Sequence, residues 1–333
     1  MQYGDLKARR ILSLILCMAP LHGVTGRVFR NAFVKAFPGF DRAMAPFILS
    51  VDGSRKGDAH YKDLLPEYNR RIPVIPQVLS NDAPGFVSTA AVLADLGYSE
   101  VNWNLGCPYP MVTAKRRGSG LLPFPDLIRS FLELACAHSA LPLSVKLRLG
   151  LDDRREIMPV IQALNDFPIS RIIVHPRVGV QMYGGETDLD GFEEAARASR
   201  HPVSYNGDIN RVADFDALRL RFPSVGEWML GRGAISDPFL PSGIKGLGPP
   251  SDPIASIGAF HDDVYFGYRE ILSGQRHVLD KMKELWGYLG RSFGARSDST
   301  KRPDALKAIE KATSFQAYDA AVSALFAGAA WKR

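Results

Sequence analysis

The strongest constraint on the fold is a repeated texture. Eight short apolar runs occur at residues 11–17, 43–49, 73–78, 100–104, 143–147, 171–174, 202–205 and 228–230. Each is followed by a Gly, Pro or Asn break, and amphipathic helical stretches fill gaps at 84–96, 124–139, 154–166 and 212–221. Strands read as lacking polar alternation are buried on both faces, as in a parallel sheet. Eight strand–helix units in about 230 residues predict an α/β fold of the (β/α)8 TIM-barrel type. A doubly wound sheet also alternates strand and helix, but it would not usually need eight such units. No Gly-x-Gly-x-x-Gly follows the first strand either.

The texture changes after residue 240. Residues 241–252 are rich in Gly and Pro and read as a linker. Beyond them, helical periodicity recurs at 254–272, 276–293, 303–313 and 317–326, with Met282, Leu285, Leu289 and Phe293 on one face. The predicted organisation is a catalytic barrel at 1–240, the linker, and a small helical-bundle domain at 253–333. Basic residues of this tail, among them Lys281, Lys283, Arg291, Arg296, Lys301 and Lys307, are interleaved with acids. They read either as a solvated face or as a phosphate-contacting surface.

Composition narrows the class. The formal net charge is +6, a weak pointer to an acidic partner such as nucleic acid. Three widely spaced cysteines, Cys17, Cys107 and Cys136, give neither a disulfide framework nor a zinc site, so no metal is expected. A reducing cytoplasm is the natural setting. Lys7, Arg9 and Arg10 before the apolar run 11–17 imitate a signal peptide. No small-residue cleavage site follows, and the run is too short to span a bilayer, so it reads as a buried strand.

In a barrel of this type the chemistry sits just after the strands, at their C-terminal ends. Met18-Ala19-Pro20 follows the first run and Gln77 ends the third. Asn104 leads to Cys107, the fifth run carries Lys146, and the sixth leads to His175-Pro176-Arg177. Asn206-Gly207-Asp208 and Gly231-Arg232-Gly233 follow the last two runs, where barrels commonly bind phosphate through backbone N–H groups. Cys107 lies between Gly106 and Pro108, a bend suited to presenting a thiol. Lys146 near the end of a buried strand has three readings: a Schiff-base nucleophile, a stabiliser of the negative charge of a reduced flavin, or half of a structural ion pair.

These segments resemble, in order, the dihydrouridine synthase family. The resemblance is carried by Met18-Ala19-Pro20 with Gly23-Val24-Thr25, by Asn104-Leu105-Gly106-Cys107-Pro108, by Gly118-Ser119-Gly120, and by Val145-Lys146-Leu147-Arg148. It continues in His175-x-Arg177, Gln181-Met182-Tyr183, Asn206-Gly207-Asp208 and Gly231-Arg232-Gly233. The tail, with Lys281-Met282-Lys283 and Trp286, resembles the bacterial C subfamily more loosely. The resemblance implies an FMN enzyme, reduced by NADPH, that converts a uridine of tRNA to 5,6-dihydrouridine. It implies Cys107 as the proton donor, with Asn104, Tyr183 and Arg177 toward substrate. Met18, Ala19, Pro20, Gln77, Lys146, His175, Asn206, Gly207, Asp208, Gly231 and Arg232 would hold FMN. The tail, with Lys281 and Lys283, would grip tRNA. No membrane or obligate protein partner is implied, and a monomer is expected.

The chain departs from the family pattern where it would face substrate. Tyr109-Pro110-Met111 stands where a lysine is common after Cys-Pro, and Gly26, Pro176 and Leu189 replace the usual residues. Two other classes fit parts of the sequence: an FMN barrel oxidoreductase acting on a small molecule, and a non-catalytic RNA-binding relative.

Overall fold

Ten strand segments form one all-parallel sheet, in the order β3-β5-β6-β7-β8-β9-β10-β1-β2-β4. They are β1 (Ile15–Met18), β2 (Arg42–Met44), β3 (Ile48–Leu49), β4 (Val74–Ile75), β5 (Gln77–Leu79), β6 (Val101–Leu105), β7 (Leu143–Gly150), β8 (Ile169–Val178), β9 (Val203–Asn206) and β10 (Glu227–Leu230). The two ends of that order are the same two strands. Pro46 interrupts the second strand, between β2 and β3, and Pro76 the third, between β4 and β5. Proline has no N–H to give a ladder. Strands two and three therefore pair twice, β2 with β4 and β3 with β5, and this double pairing closes the sheet into the eight-stranded TIM barrel. The computed structural model describes residues 14–51, 58–295 and 300–332. Residues 11–13 of the first predicted strand, Lys7, Arg9, Arg10 and Arg296 lie outside them.

The strands are not uniformly apolar, which corrects the expectation of unalternated runs. β6 reads Val-Asn-Trp-Asn-Leu and β7 reads Leu-Ser-Val-Lys-Leu-Arg-Leu-Gly. The apolar residues face the helices: Trp103 stacks on Phe131 of helix Pro125–His138 at 3.8 Å between ring centroids. The polar residues face inward. Register places Asn102 beside Gln77 and Ser144, Asn104 beside Lys146, and Arg148 beside His175. Buried polar groups persist only when bonded to one another. Here Asn104 Nδ2 donates to Gln77 Oε1 (2.7 Å), Gln77 Nε2 to Asn102 Oδ1 (2.7 Å), and Asn102 Nδ2 to Ser144 Oγ (3.0 Å).

Inter-residue contacts divide the chain into two units. One holds the described residues through Pro20 with Asp41–Asp208 and Ala217–Leu230; the other holds Leu21–Phe40, Ile209–Asp216 and the chain from Gly231 onward. In the second unit, helix Arg27–Ala36 lies against helix Pro253–Ile271. Phe29 and Phe33 meet Phe260 edge-on at 5.6 and 5.8 Å. A Cβ on Gly267 would come within 2.7 Å of Val28 Cγ1, so glycine sets that approach. The tail forms helices Pro253–Ile271, Gln275–Leu289, Asp304–Lys311 and Phe315–Gly328, close to the predicted spans. Its core is polar at one point: Tyr318 Oη accepts from Trp286 Nε1 at 2.8 Å and lies 2.8 Å from His261 Nε2. Among the described residues, no helix is long and apolar enough to cross a membrane.

Candidate active site

Cys107 sits two residues beyond β6, and its backbone is fixed on every side. Asn104 Oδ1 accepts from the N–H of Gly106 (3.0 Å) and of Cys107 (2.9 Å), which turns the chain sharply at the strand end. Cys107 O accepts from the N–H and the hydroxyl of Ser119, at 3.0 and 3.1 Å. Gly118 beside it has φ +57°, and a Cβ there would lie 2.5 Å from Cys107 O, so no side chain fits. The thiol is buried. Burial pushes its pKa up, and the Tyr109 backbone and the nearby cations Arg148 and Lys146 partly oppose this.

Arg148 was not among the expected site residues. It is buried in the lumen, and its Nε donates to Gly106 O (3.0 Å) while one terminal nitrogen donates to Val178 O (2.9 Å). Its guanidinium also lies 5.4 Å from the centre of the Tyr183 ring. One side chain thus ties the Cys107 bend to the loop after β8. The alternation of β7 was the signal for it: Ser144, Lys146 and Arg148 recur at every second residue of an otherwise apolar strand.

Lys146 has no carboxylate within ion-pair distance among the described residues, which removes the structural ion pair from its three readings. It is partly buried, and desolvation first, then repulsion from Arg148, lowers its pKa to about 7.

His175, Arg177, Asp208 and the Tyr183 loop form one cluster. β8 runs through Val178, so His175 and Arg177 lie within the strand rather than after it. Arg177 is 1% exposed, and each of its N–H groups has a partner. Nε donates to Gly184 O (3.0 Å), and the terminal nitrogens to Gly185 O (2.6 Å), both Asp208 oxygens and His175 Nε2 (3.2 Å). A guanidinium can only donate, so His175 Nε2 must accept. Arg177 and Asp208 therefore hold the loop in place; Arg177 has no donor left over for a substrate. Tyr183 is 44% exposed beyond them. Met182 before it takes the left-handed φ of +51°, a strained position for a long side chain.

The remaining expected residues are dispersed. Gln77 is fully buried as the centre of the lumen's amide chain, within strand three rather than at its end. Met18 and Ala19 end β1, where Ala19 N donates to Leu230 O (2.8 Å). Asn206 Nδ2 donates to Met229 O (3.0 Å). A Cβ on Gly207 would lie 3.0 to 3.3 Å from Thr187, Tyr205 and Pro176, so the chain packs closely there. Pro20 is half-buried. Gly231, Arg232, Lys281 and Lys283 belong to the other unit. Gly231 precedes the short helix Arg232–Ser236. Lys281 Nζ is a strut within that unit, donating to Gly23 O (2.6 Å) and pairing with Glu284 (3.1 Å). Lys283 is half-buried and unpaired among the described residues.

Comparison with known proteins gives the chain its family. The family model described as "Dihydrouridine synthase (Dus)" matches residues 17–322. A "tRNA-dihydrouridine(16) synthase" of Cupriavidus necator is 31% identical over 249 residues, covering 71% of this chain and 76% of that protein. A second protein of that name, from Ralstonia nicotianae, is 28% identical over 291 residues, covering 84% of this chain and 87% of its own. Among solved structures, the old yellow enzyme homologue of Zymomonas mobilis superposes with a TM-score of 0.51 at 12% identity, covering 74% of this chain and 91% of that one, a likeness of fold. With the family model spanning nearly the whole chain, this chain belongs to the dihydrouridine synthase family.

Proposed function

We propose that this chain reduces a uridine of tRNA to 5,6-dihydrouridine, using FMN as its bound flavin and NADPH as the reductant, and that Cys107 is the proton donor. The observation that carries this reading is the mouth of the barrel: a thiol on a fully fixed backbone beside a recessed, unpaired Lys146. The family membership supports it.

The residues present suit a flavin. An orphaned ammonium inside a barrel needs an anion, and the electron-rich edge of a reduced flavin is one. Gly207, packed against Thr187, Tyr205 and Pro176, would offer its backbone N–H to a phosphate. Lys146, His175, Asn206 and Gly207 would line the cofactor, with Gln77 fixing the floor and Met18, Ala19 and Pro20 the near wall. Asp208 would act through Arg177. Gly231 and Arg232 open a short helix, and we carry over their assignment to flavin binding from the family resemblance alone. Bound flavin would supply the hydride delivered to the uracil ring.

The chain's own residues supply the rest. Cys107 would give its proton to uracil C5. Burial raises its pKa, so the thiol stays protonated near neutral pH, which suits an acid and not a nucleophile. Asn104 fixes that thiol by holding Gly106 and Cys107, and would meet the uracil only by exchanging one of those bonds. Tyr183, exposed over Arg148, would contact the ring. A uracil must be taken out of its stack to reach this mouth, at a cost of a few kcal/mol. Cationic contacts to phosphates would offset that cost. We assign the region 253–333, with Lys281 and Lys283, to tRNA binding, catalysis to the barrel strands within 1–240, and a monomer in the cytoplasm as the working form.

The two relatives are named for position 16 of the tRNA, which supports that position here. Mass mapping of dihydrouridine in tRNA from cells with and without the gene tests substrate and position together. Loss of dihydrouridine at that position is expected; an unchanged map would overturn the reading. A purified protein that neither carries nor takes up FMN would do the same.

A further inference from the structure

The lumen accounts for Cys107 and the interior cations, but not for a patch on the segment that follows. Tyr109 is 44% exposed and Met111 is 79% exposed. Met111 lies at the start of the single helical turn Pro110–Thr113. That turn is firmly supported. Tyr109 O accepts from the N–H of Val112 (2.8 Å) and of Thr113 (3.0 Å). Gly120 packs so tightly that a Cβ there would lie 2.5 Å from Thr113 O. Asn81 clamps the exit of the turn, donating to Lys115 O (3.0 Å) and accepting from Arg117 Nε (2.9 Å). Two large apolar side chains are thus held out into water by a rigid base, beside the catalytic bend.

Three consecutive cations flank them. Lys115 and Arg116 are exposed and Arg117 is half-buried, and none pairs with a carboxylate among the described residues. Arg116 takes φ +51° and places its guanidinium 4.8 Å from the centre of the Phe124 ring. Several cations of the helical tail differ: Lys281 pairs with Glu284 (3.1 Å), Lys307 with Asp304 (3.2 Å) and Arg302 with Glu310, although Lys283 does not pair among the described residues. Cations already neutralised by acids have less to gain from a phosphate than cations left unpaired. Aromatic and thioether groups among unpaired cations are the composition of a surface that stacks on bases while holding their backbone.

We propose that Tyr109 and Met111 form a wedge that packs against the nucleobases flanking the extracted uridine, while Lys115 and Arg116 hold the adjoining phosphates. The proposal rests on the reading that tRNA is the substrate. Removing a base from a stack leaves its neighbours with unpaired faces, and apolar side chains inserted there offset part of that cost. A methionine adapts to an irregular gap, and a tyrosine offers a flat face. The exchange of the family's usual lysine for Tyr109-Pro110-Met111 then trades a point charge for a packing surface.

The test uses the flavin-loaded enzyme and full-length tRNA with 2-aminopurine placed beside the target uridine. The double variant Tyr109→Ser, Met111→Ser should bind this tRNA at least about fivefold more weakly, the lower end of what stacking on one base contributes. The wild-type complex should be dimmer than the variant complex, because the fluorescent base is stacked in the first and bare in the second. Equal emission from the two complexes overturns the wedge. The variant Lys115→Gln, Arg116→Gln should flatten the log–log salt dependence of binding by about 1.4 to 1.8, the value for two phosphates; an unchanged slope overturns the phosphate assignment. Matching flavin absorption and circular dichroism establish that the variants fold. A concentration-dependent self-association abolished by Met111→Ser would assign the patch to a second copy of the chain and overturn the proposal. Failure of the underlying reading looks different: the wild type itself then neither binds tRNA at low salt nor makes dihydrouridine.

Discussion

Both ends of the barrel lumen bury positive charge, and they treat it differently. At the N-terminal end, Arg42 pairs with Glu227 and Arg171 Nε lies 3.0 Å from the same carboxylate. Glu100 approaches Arg171 at 3.7 Å. Cations and carboxylates there carry one another's counter-charge, although Arg171 Nη1 and Glu100 Oε1 are buried without a hydrogen-bond partner. Cys17, enclosed in the same layer, has its thiol pKa pushed up by burial and by Glu227, which keeps it inert. At the C-terminal end, Arg148 is satisfied by carbonyls and Lys146 by no anion at all. A cluster in which every cation faces a carboxylate is neutralised from within and reads as architecture. An ammonium held without a counter-charge reads as half of an interaction that a ligand completes.

The comparison can be broken at either end. The largest effect expected is on chemistry. Cys107→Ala should slow single-turnover reduction of tRNA uridine about 10²- to 10⁴-fold, the range of a general acid, with flavin content and unfolding midpoint unchanged. An undiminished rate would remove Cys107 as the donor.

At the other end, Glu227→Ala strips the counter-charge from Arg42 and Arg171 together. Breaking a buried pair this way costs about 3–5 kcal/mol. Denaturant unfolding should show that loss, while the folded fraction keeps its flavin affinity. A loss of flavin affinity without a loss of stability would erase the distinction between the two ends.

Lys146→Met should do the reverse. The apoprotein should be as stable as the wild type or more so near neutral pH, since a costly ammonium is gone. Flavin affinity should fall about 10- to 100-fold, as for a lost hydrogen bond to a charged group of about 1.5–3 kcal/mol. A large loss of apoprotein stability would mean that Lys146 is structural after all.

The smallest effect is a slope. Folding lowers the Lys146 pKa to about 7 from an unfolded value near 10.4. Between those values the unfolded chain holds a proton that the folded chain does not, so apoprotein stability rises with pH across this window and levels off below 7, where both states are protonated. The gain is at most about 1.4 kcal/mol per pH unit. Subtracting the same titration of Lys146→Met isolates it from other groups. Identical curves for both proteins would show that the ammonium is not held in the way described.

Much of this was legible in the sequence, and the rest was hidden for physical reasons. Apolar runs with breaks disclosed the barrel because strand burial and turn chemistry are local. Cys107 was legible because Gly106 and Pro108 flank it. The polar lumen was also written there, in the alternation of β6 and β7, but it was read as uniform burial. Arg177 reads as a free cation until its partner, Asp208, is seen 31 residues on. Leu21–Phe40 joins the tail unit because Phe29 and Phe33 meet Phe260, more than 220 positions away, and no local pattern reports so distant a partner. The tail's basic residues drew attention by number. The less numerous set at 115–117 is three consecutive cations with no carboxylate partner among the described residues, which only the folded chain reveals.

The double pairing of strands two and three also bears on how the cylinder breathes. Its wall is laddered all round, yet between Pro46 and Pro76 it has a line of perforation. On either side, Ala45 N donates to Ile75 O (2.9 Å) and Ser50 N reaches Leu79 O only at 3.5 Å. Solvent should enter a closed barrel first along such a line. In deuterium, the amides of β2 to β5 should exchange ahead of those of β7 and β8, whose ladder runs unbroken from Ser144 to Arg148. The barrel would then open, when it opens, like a sleeve along its seam, leaving the wall that carries Lys146 and Arg148 intact.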